Sequence, residues 1–452
     1  MGEQGEIVRP AGLMEQYHIT RHALGFDSCV LSAAQFVPPA GSSLDETTLF
    51  CALRKVMESH PALGVRLAGE HSTTSCYERL DKIYLSQVVE FSDSCDLKAA
   101  FEAQLLRPFD AASTLPLWRI VVLNDNTVCF AWHHCIGDGI SGLAFHRALL
   151  AALRQGGGHE PLETDAVAPS TNALISAMEA TVDVTPSWRK IFLEVFEHFA
   201  PGAWTRGASA WTGKPVENIS LQTSVRLIEF PPDNVSTFLT LCRAHKATLT
   251  SGLHVLAISV LSALVSTEAE KYKTISSYIP ISLRGLTGAS NDVFCEHLSA
   301  MHTYPRVNPI FSWDEASRCA SALRSCTPTS VEEVGMLKFL FGKYAAFFKG
   351  KVGKKRQGGL EISNLGPFEA SSDRAGGETW TIGRTGFAQC DAPLGSAIKI
   401  NVVGDPLGGM TIAVTWGVGS IENSFGESFV SSFRDGFAKV ISTKADEISL
   451  AG

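Results

Sequence analysis

His133 and His134 stand where a run of apolar residues stops. Thr127-Val128-Cys129-Phe130-Ala131-Trp132 reads as a buried strand, and it leads directly into His133-His134-Cys135-Ile136-Gly137-Asp138-Gly139. A histidine at a strand end, ahead of a glycine-rich turn, is placed where its side chain can face a cleft. Neutral imidazole near pH 7 is suited to taking a proton from a hydroxyl and returning it to a leaving group. Asp138 sits between two glycines, and a carboxylate held inside such a turn needs a partner, most simply an arginine. A lone histidine is more often structural than catalytic. The combination His-His-x-x-x-Asp-Gly is not demanded by local structure, so it is read here as a unit that carries chemistry.

Other chemistries fit these residues less well. Gly137-Asp138-Gly139-Ile140-Ser141-Gly142 matches Gly-x-Gly-x-x-Gly after a strand and before a helix, and Glu160 and Glu163 follow at roughly the spacing of a ribose-binding acid. Against a dinucleotide site, Asp138 would set a negative charge among the pyrophosphate-binding amides. A glycine run at 156–158 also replaces the next apolar strand, and the histidine pair would have no role. An NAD(P)-dependent oxidoreductase is therefore the remote alternative. Gly-x-Ser-x-Gly is absent, which leaves a serine hydrolase unsupported. His133, His134 and Cys135 are adjacent and would point to alternating faces, so they are not expected to share a metal, and no metal is expected.

The elements that must position the motif can be read from apolar spacing. Strands are expected at 26–36, 117–123 and 127–132, the last two joined by the turn-forming Asn124-Asp125-Asn126. Residues 44–59 have helical spacing, with Ser43 as N-cap and Pro61 as a stop. A helix is expected around Phe101, Leu105 and Leu106, and another at 143–153, ended by Gly156-Gly157-Gly158. Between 156 and 218 Gly, Pro, Ser and Trp accumulate, with a helical patch at 191–199. Beyond it, helices are expected at 234–247, 249–264, 312–324, 330–348 and 424–440, and strands at 274–283, 297–304, 359–363, 380–387, 397–403 and 410–416. This mixture suggests an α+β pseudo-dimer: a lobe over 1–160 that carries the motif, a crossing over 161–218 and a second lobe over 219–452.

Bulk properties narrow the classes further. The chain has 452 residues, room for two or three domain-sized units. Hydrophobic residues make up 45% and charged residues 19%, which supports a large core and argues against disorder. A net charge of -8 gives no support to a nucleic-acid surface. The 11 cysteines are scattered without a C-x-x-C pair, so neither a zinc ribbon nor a thioredoxin-like site is indicated. The acidic N-terminus lacks an apolar signal core. The apolar stretch 253–265 is interrupted by His254, Ser259 and Ser262 and is too short to span a bilayer, so it reads as a buried helix. A cytoplasmic protein without a transmembrane segment is expected.

The motif is similar to that of the superfamily of chloramphenicol acetyltransferases, plant BAHD acyltransferases and peptide-synthetase condensation domains. More narrowly, the chain resembles the fungal alcohol acetyltransferase family. Arg9-Pro10-Ala11-Gly12-Leu13-Met14-Glu15-Gln16-Tyr17 and Arg21-His22-Ala23-Leu24-Gly25 resemble that family's opening. His60-Pro61-Ala62-Leu63-Gly64-Val65-Arg66 resembles an early helix-to-strand segment. Pro280-Ile281-Ser282-Leu283-Arg284 resembles the strand that supplies an arginine, and Ser363-Asn364-Leu365-Gly366-Pro367 a second-lobe crossover. The plant-type Asp-Phe-Gly-Trp-Gly motif is absent, and Trp416-Gly417 does not reproduce it.

The resemblance implies two chloramphenicol-acetyltransferase-like lobes with a channel between them. It implies acyl transfer from acyl-CoA, as co-substrate, to the hydroxyl of a small alcohol in fungal secondary metabolism, by a monomer without a tightly bound cofactor. It makes His134 the general base, Asp138 a structural residue paired with Arg284, and Gly139 a small residue lining the channel, its N–H facing the oxyanion. His133 supports the motif, and Ser363 and Asn364 are candidates for closing the channel. The basic run Lys349-Gly350-Lys351-Val352-Gly353-Lys354-Lys355-Arg356 suggests Lys351, Lys354, Lys355 and Arg356 as contacts for coenzyme A phosphates. A carrier-protein thioester donor, an amine acceptor or a non-acylating relative of the same fold are the alternatives the resemblance leaves open.

Overall fold

Val30–Val37, Trp118–Val122 and Thr127–Trp132 are rich in β-branched and aromatic residues, and they pair antiparallel. The hairpin turns at Asn126, which has φ 60. Asp125 accepts the Thr127 N–H at 3.1 Å. In this computed structural model, residues 6–450 are described apart from 112, 157–164, 202–203, 218, 267–270, 370–378, 391–392 and 444. The glycines at 157 and 158, and the expected boundaries at 160–161 and 218, lie outside the described residues.

The first half of the chain has five α-helices among the described residues: α1 (Leu13–Ala23), α2 (Glu46–Ser59), α3 (Leu97–Leu106), α4 (Gly139–Arg154) and α5 (Trp188–Phe199). α2 starts at Asp45 rather than at the expected cap Ser43. The Asp45 carboxylate accepts the Thr48 N–H at 2.9 Å, and Ser43 instead donates to that carboxylate. α2 packs on α4 over one face of the first sheet.

That sheet runs Thr381–Gln389, Val30–Val37, Thr127–Trp132, Trp118–Val122, Val89–Phe91. Its edge strand comes from far along the chain: Thr381 lies opposite Val37 and Gln389 opposite Val30. The segment 219–452 therefore does not stay within one sheet. The second sheet runs Thr223–Phe230, Met410–Gly417, Ile398–Gly404, Leu360–Pro367, Ser277–Ser282, Leu298–Thr303. The strand Thr223–Phe230 was not anticipated, since its alternation slips at the adjacent apolar pair Leu227 and Ile228.

The helix Leu249–Val265 packs against Asn423–Ser442 and Trp313–Cys326 and is buried along most of its length, which explains its near-continuous apolar sequence. Among the described residues no single helix is long and apolar enough to cross a membrane. The single helix expected over 330–348 is in fact three short pieces, Val331–Met336, Leu337–Leu340 and Tyr344–Lys349. The break falls at Phe341 and Gly342, whose φ values are 48 and 75; a left-handed pair ends a right-handed helix.

Candidate active site

Thr127–Trp132 is buried throughout and delivers the chain into the motif. The His133 N–H still donates to Leu117 O at 2.9 Å, so the ladder extends one residue beyond the strand. The chain then tightens into the single turn His134–Ile136, and Trp132 Nε1 donates to Gly137 O at 2.7 Å, closing the loop. α4 begins at Gly139 with Asp138 as its N-cap, whose Oδ1 accepts the Ser141 N–H at 3.0 Å.

Asp138 meets Arg284 in a two-point pair. Arg284 Nε donates to Oδ2 at 3.0 Å and Nη2 to Oδ1 at 2.7 Å, and both side chains are buried. The remaining guanidinium donors reach Ser141 Oγ at 3.0 Å and Val293 O at 3.0 Å. The Asp138 N–H donates to Cys295 O at 3.0 Å. The connection between Ser277–Ser282 and Leu298–Thr303 is thus stitched onto the start of α4. Its last residues carry Glu296 to His134.

Glu296 was not anticipated. Its Oε2 lies 3.1 Å from His134 Nδ1, and its side chain has 0% exposure against 12% for His134. Burial would raise its carboxyl, but the charges of His134 and His18 overcome that and hold it at about 2. Burial pushes His134 down, yet the charge and hydrogen bond of Glu296, then the charge of Asp27, leave it raised above 6.5. An ionised carboxylate only accepts, so His134 carries its proton on Nδ1 when neutral. Among the described residues Nε2 has no hydrogen-bond partner, and it is the basic nitrogen.

α1 completes the arrangement. His18 and His22 are one turn apart and face the motif's two histidines. His18 stacks on His134 with ring centroids 3.8 Å apart and an interplanar angle of 15°, and His22 lies 4.3 Å from His133. His18 Nε2 approaches Glu296 Oε1 at 3.2 Å, and its Nδ1 is 3.7 Å from Asp27, which Arg21 also flanks at 3.7 Å. Asp27 is held well below the usual carboxylate range, against its own burial, by Arg21 and then His18. His133 accepts the Cys135 N–H on Nδ1 at 3.1 Å and is kept neutral by burial. In the sequence these residues show only as two histidines four apart and an acid, Glu296, ahead of a strand, patterns too common to single out a site.

Two groups of donor atoms lie within 4.8 Å of one another: His18, His134 and Glu296, and His22, Glu70 and His133. Neither fits a cation well. The stacked rings of the first send their in-plane nitrogens side by side rather than to one point. In the second, the Phe109 N–H donates to His22 Nε2 at 3.0 Å, which puts the imidazole proton on Nδ1, the nitrogen facing Glu70 at 3.1 Å. That nitrogen is a donor, not a ligand.

The other expected site residues take varied places in the fold. A side chain at Gly139 would lie 2.5 Å from Leu365 Cδ2 and 3.2 Å from the Phe387 ring, so there is no room for one in that direction. At Gly142 a Cβ would sit 2.4 Å from the Trp132 ring. These glycines allow close packing, and Asp138 is spent on a cap and an ion pair, which removes the dinucleotide reading. Asn364 donates to Thr250 Oγ1 at 3.0 Å and accepts the Gly366 N–H at 2.9 Å, the pattern of a structural turn. Ser363 is buried beside it, and it is Leu365 that meets the motif. Arg356 is 5% exposed and donates to the carbonyls of Lys214 and Pro393, so it is not placed for phosphates. Lys351 lies over the Phe347 ring at 3.9 Å and is pushed down to about 7, chiefly by burial. Lys354 and Lys355 are exposed, Lys355 donating to Gly207 O at 2.8 Å.

Comparison with known proteins accords with this architecture. The sequence profile of the family described as "Alcohol acetyltransferase" matches residues 10–296, well over half of the chain. "Probable alcohol acetyltransferase crmB" of Aspergillus fumigatus is 25% identical, over 92% of this chain and 96% of its own. Among solved structures, the TRI3 trichothecene 15-O-acetyltransferase of Fusarium sporotrichioides superposes with a TM-score of 0.69 at 10% identity, over 95% of this chain and 94% of that one. The condensation domain of the monacolin K polyketide synthase MokA superposes with a TM-score of 0.61 at 11% identity, over 98% and 99%. The fold is the two-lobed α+β fold of chloramphenicol acetyltransferases and condensation domains.

Proposed function

The chain belongs to the alcohol acetyltransferase family, and from that premise we propose that it moves an acyl group from acyl-CoA to the hydroxyl of a small alcohol, with His134 as general base. The observation that carries this reading is the contact of His134 Nδ1 with Glu296 at 3.1 Å, which leaves Nε2 as the free base. In the proposed reaction Nε2 takes the acceptor's proton as its oxygen attacks the thioester carbonyl. A new C–O bond forms and a tetrahedral oxyanion results. When the C–S bond breaks, the thiolate takes the proton back from Nε2, and ester and coenzyme A leave. Glu296 keeps the Nδ1 proton in place and stabilises the imidazolium between the two transfers. His18, stacked on the ring and sharing Glu296, fixes its orientation. Asp138 and Arg284 act through position, since they hold the connection that carries Glu296.

The fungal relatives support a secondary metabolite or small alcohol as acceptor, and of the four basic residues suggested for donor phosphates Lys354 and Lys355 are the exposed ones. The reading is tested by coenzyme A release with a panel of acyl-CoA donors and alcohols, extended to amines and a pantetheine thioester. His134→Ala should lose about 100- to 10,000-fold in kcat/KM, the usual span for a general base. Full transfer by that variant would overturn the assignment.

A further inference from the structure

The geometry points to a docking surface for an anionic lipid bilayer, built from α5 and the lysine-rich segment beside it. α5 is oriented the wrong way round for a helix on a water-soluble surface. Part of its charge is engaged in ion pairs: half-buried Lys190 pairs with Glu194 at 2.8 Å and also with Glu333, and Glu197 pairs with Arg206 at 2.8 Å, while Arg189 is exposed. Its apolar residues turn outward, with Trp188 84%, Phe192 69%, Val195 47% and Phe196 42% exposed. These recur at the spacing of one helical face, and Trp and Phe are the residues that settle at the headgroup level of a bilayer.

The tryptophans make the bias plain. The chain has eight, and Trp118, Trp132, Trp211, Trp313, Trp380 and Trp416 are buried. The two that are exposed, Trp188 and Trp204 at 71%, lie on α5 and just after it.

The charge beside this face identifies the occupant. α5 is fastened to the following segment of the second lobe, where Ser187 donates to Glu332 at 2.8 Å and Lys190 pairs with Glu333. From that point the sequence has no acidic residue between Glu333 and Glu361, although the chain as a whole carries a net charge of -8. Over the same stretch Lys338, Lys343, Lys349, Lys354 and Lys355 are exposed, and Phe339 and Phe341 are exposed among them at 46% and 79%. Aromatic side chains interleaved with lysines match an anionic bilayer surface, which takes rings into its acyl boundary and cations among its phosphates. The surface adjoins the candidate site: Tyr17, next to His18, packs on Phe348 of Tyr344–Lys349 with ring centroids 4.9 Å apart. A lipophilic alcohol could then reach the site from the membrane. The inference does not depend on the acyl-transfer reading.

The test is sedimentation of the full-length protein with vesicles of phosphatidylcholine and phosphatidylserine, against phosphatidylcholine alone, with tryptophan quenching by brominated-chain lipid. The expected result is binding to the anionic vesicles with quenching of the exposed tryptophans. The double variant Trp188→Ser, Phe192→Ser should bind about tenfold or more weakly, with unchanged melting. Lys338→Glu with Lys343→Glu should abolish the preference for anionic vesicles. Absence of wild-type binding, or binding that both variants retain, would overturn the proposal. So would a concentration-dependent dimer, seen by light scattering, that the aromatic variant dissolves, because a second copy would then cover the face. Quenching of the wild type by brominated lipid reads the same surface without any substitution.

Discussion

At the scale of single residues, the Glu296–His134 contact makes activity and stability respond to pH in opposite directions. His134 is raised above 6.5 in the folded protein. Its protonated form is favoured by the fold, so it stabilises fully below about 6.5 and that contribution fades as pH rises through the raised value. The reaction needs the neutral form, so kcat/KM should climb with pH through an apparent pKa above 6.5. Glu296, held at about 2 against an ordinary 4.5, stabilises above 4.5, and this is lost as pH falls toward 2. Glu296→Gln removes the charge that lifts His134. Rates measured across pH should show the rising limb displaced to lower pH and a reduced plateau. A reduced plateau with an unmoved limb would mean that Glu296 does not act on His134.

At the scale of elements, the start of α4 and the connection 283–297 form one joint. Asp138→Asn keeps a side chain able to cap α4 but strips the charge facing Arg284. Removing one member of a buried pair typically costs about 3–5 kcal/mol, so unfolding by denaturant should move to clearly lower concentration. Activity should fall as well, because the connection that carries Glu296 loosens. Wild-type unfolding together with wild-type kcat/KM would count against the joint. The motif's own residues were legible because strand, turn and helix signals converge on 127–153, and the partner Arg284 followed from the family resemblance. Glu296, His18 and Asp27 were not legible. Each is an ordinary polar residue in its local sequence, and what makes it part of the site is tertiary packing between α1, the turn after Thr127–Trp132 and the distant connection. Within the basic run the place of Arg356 was not legible for a similar reason: charge along a sequence does not reveal that its guanidinium is spent on backbone carbonyls.

At the scale of the whole molecule, the two-lobed α+β class was legible from the order of elements, while the exchange of a strand between lobes was not. The strand Thr381–Gln389 pairs with Val30–Val37 along most of its length. A truncated chain ending near residue 219 would lack it, and would lack Arg284 and Glu296 too. Such a fragment should fail to give a cooperative unfolding transition and should aggregate, because Val30–Val37 would present a long apolar edge with its backbone unpaired. A soluble, cooperatively folding fragment would show that the first sheet stands without its late strand. During synthesis the same dependence sets an order of events. The ribosome must release nearly nine-tenths of the chain before the first sheet can close, so the early lobe waits, half-finished and open at one edge, for its last strand. This interval is when a chaperone would have most to protect, and expression should improve when elongation through the second half is fast relative to aggregation.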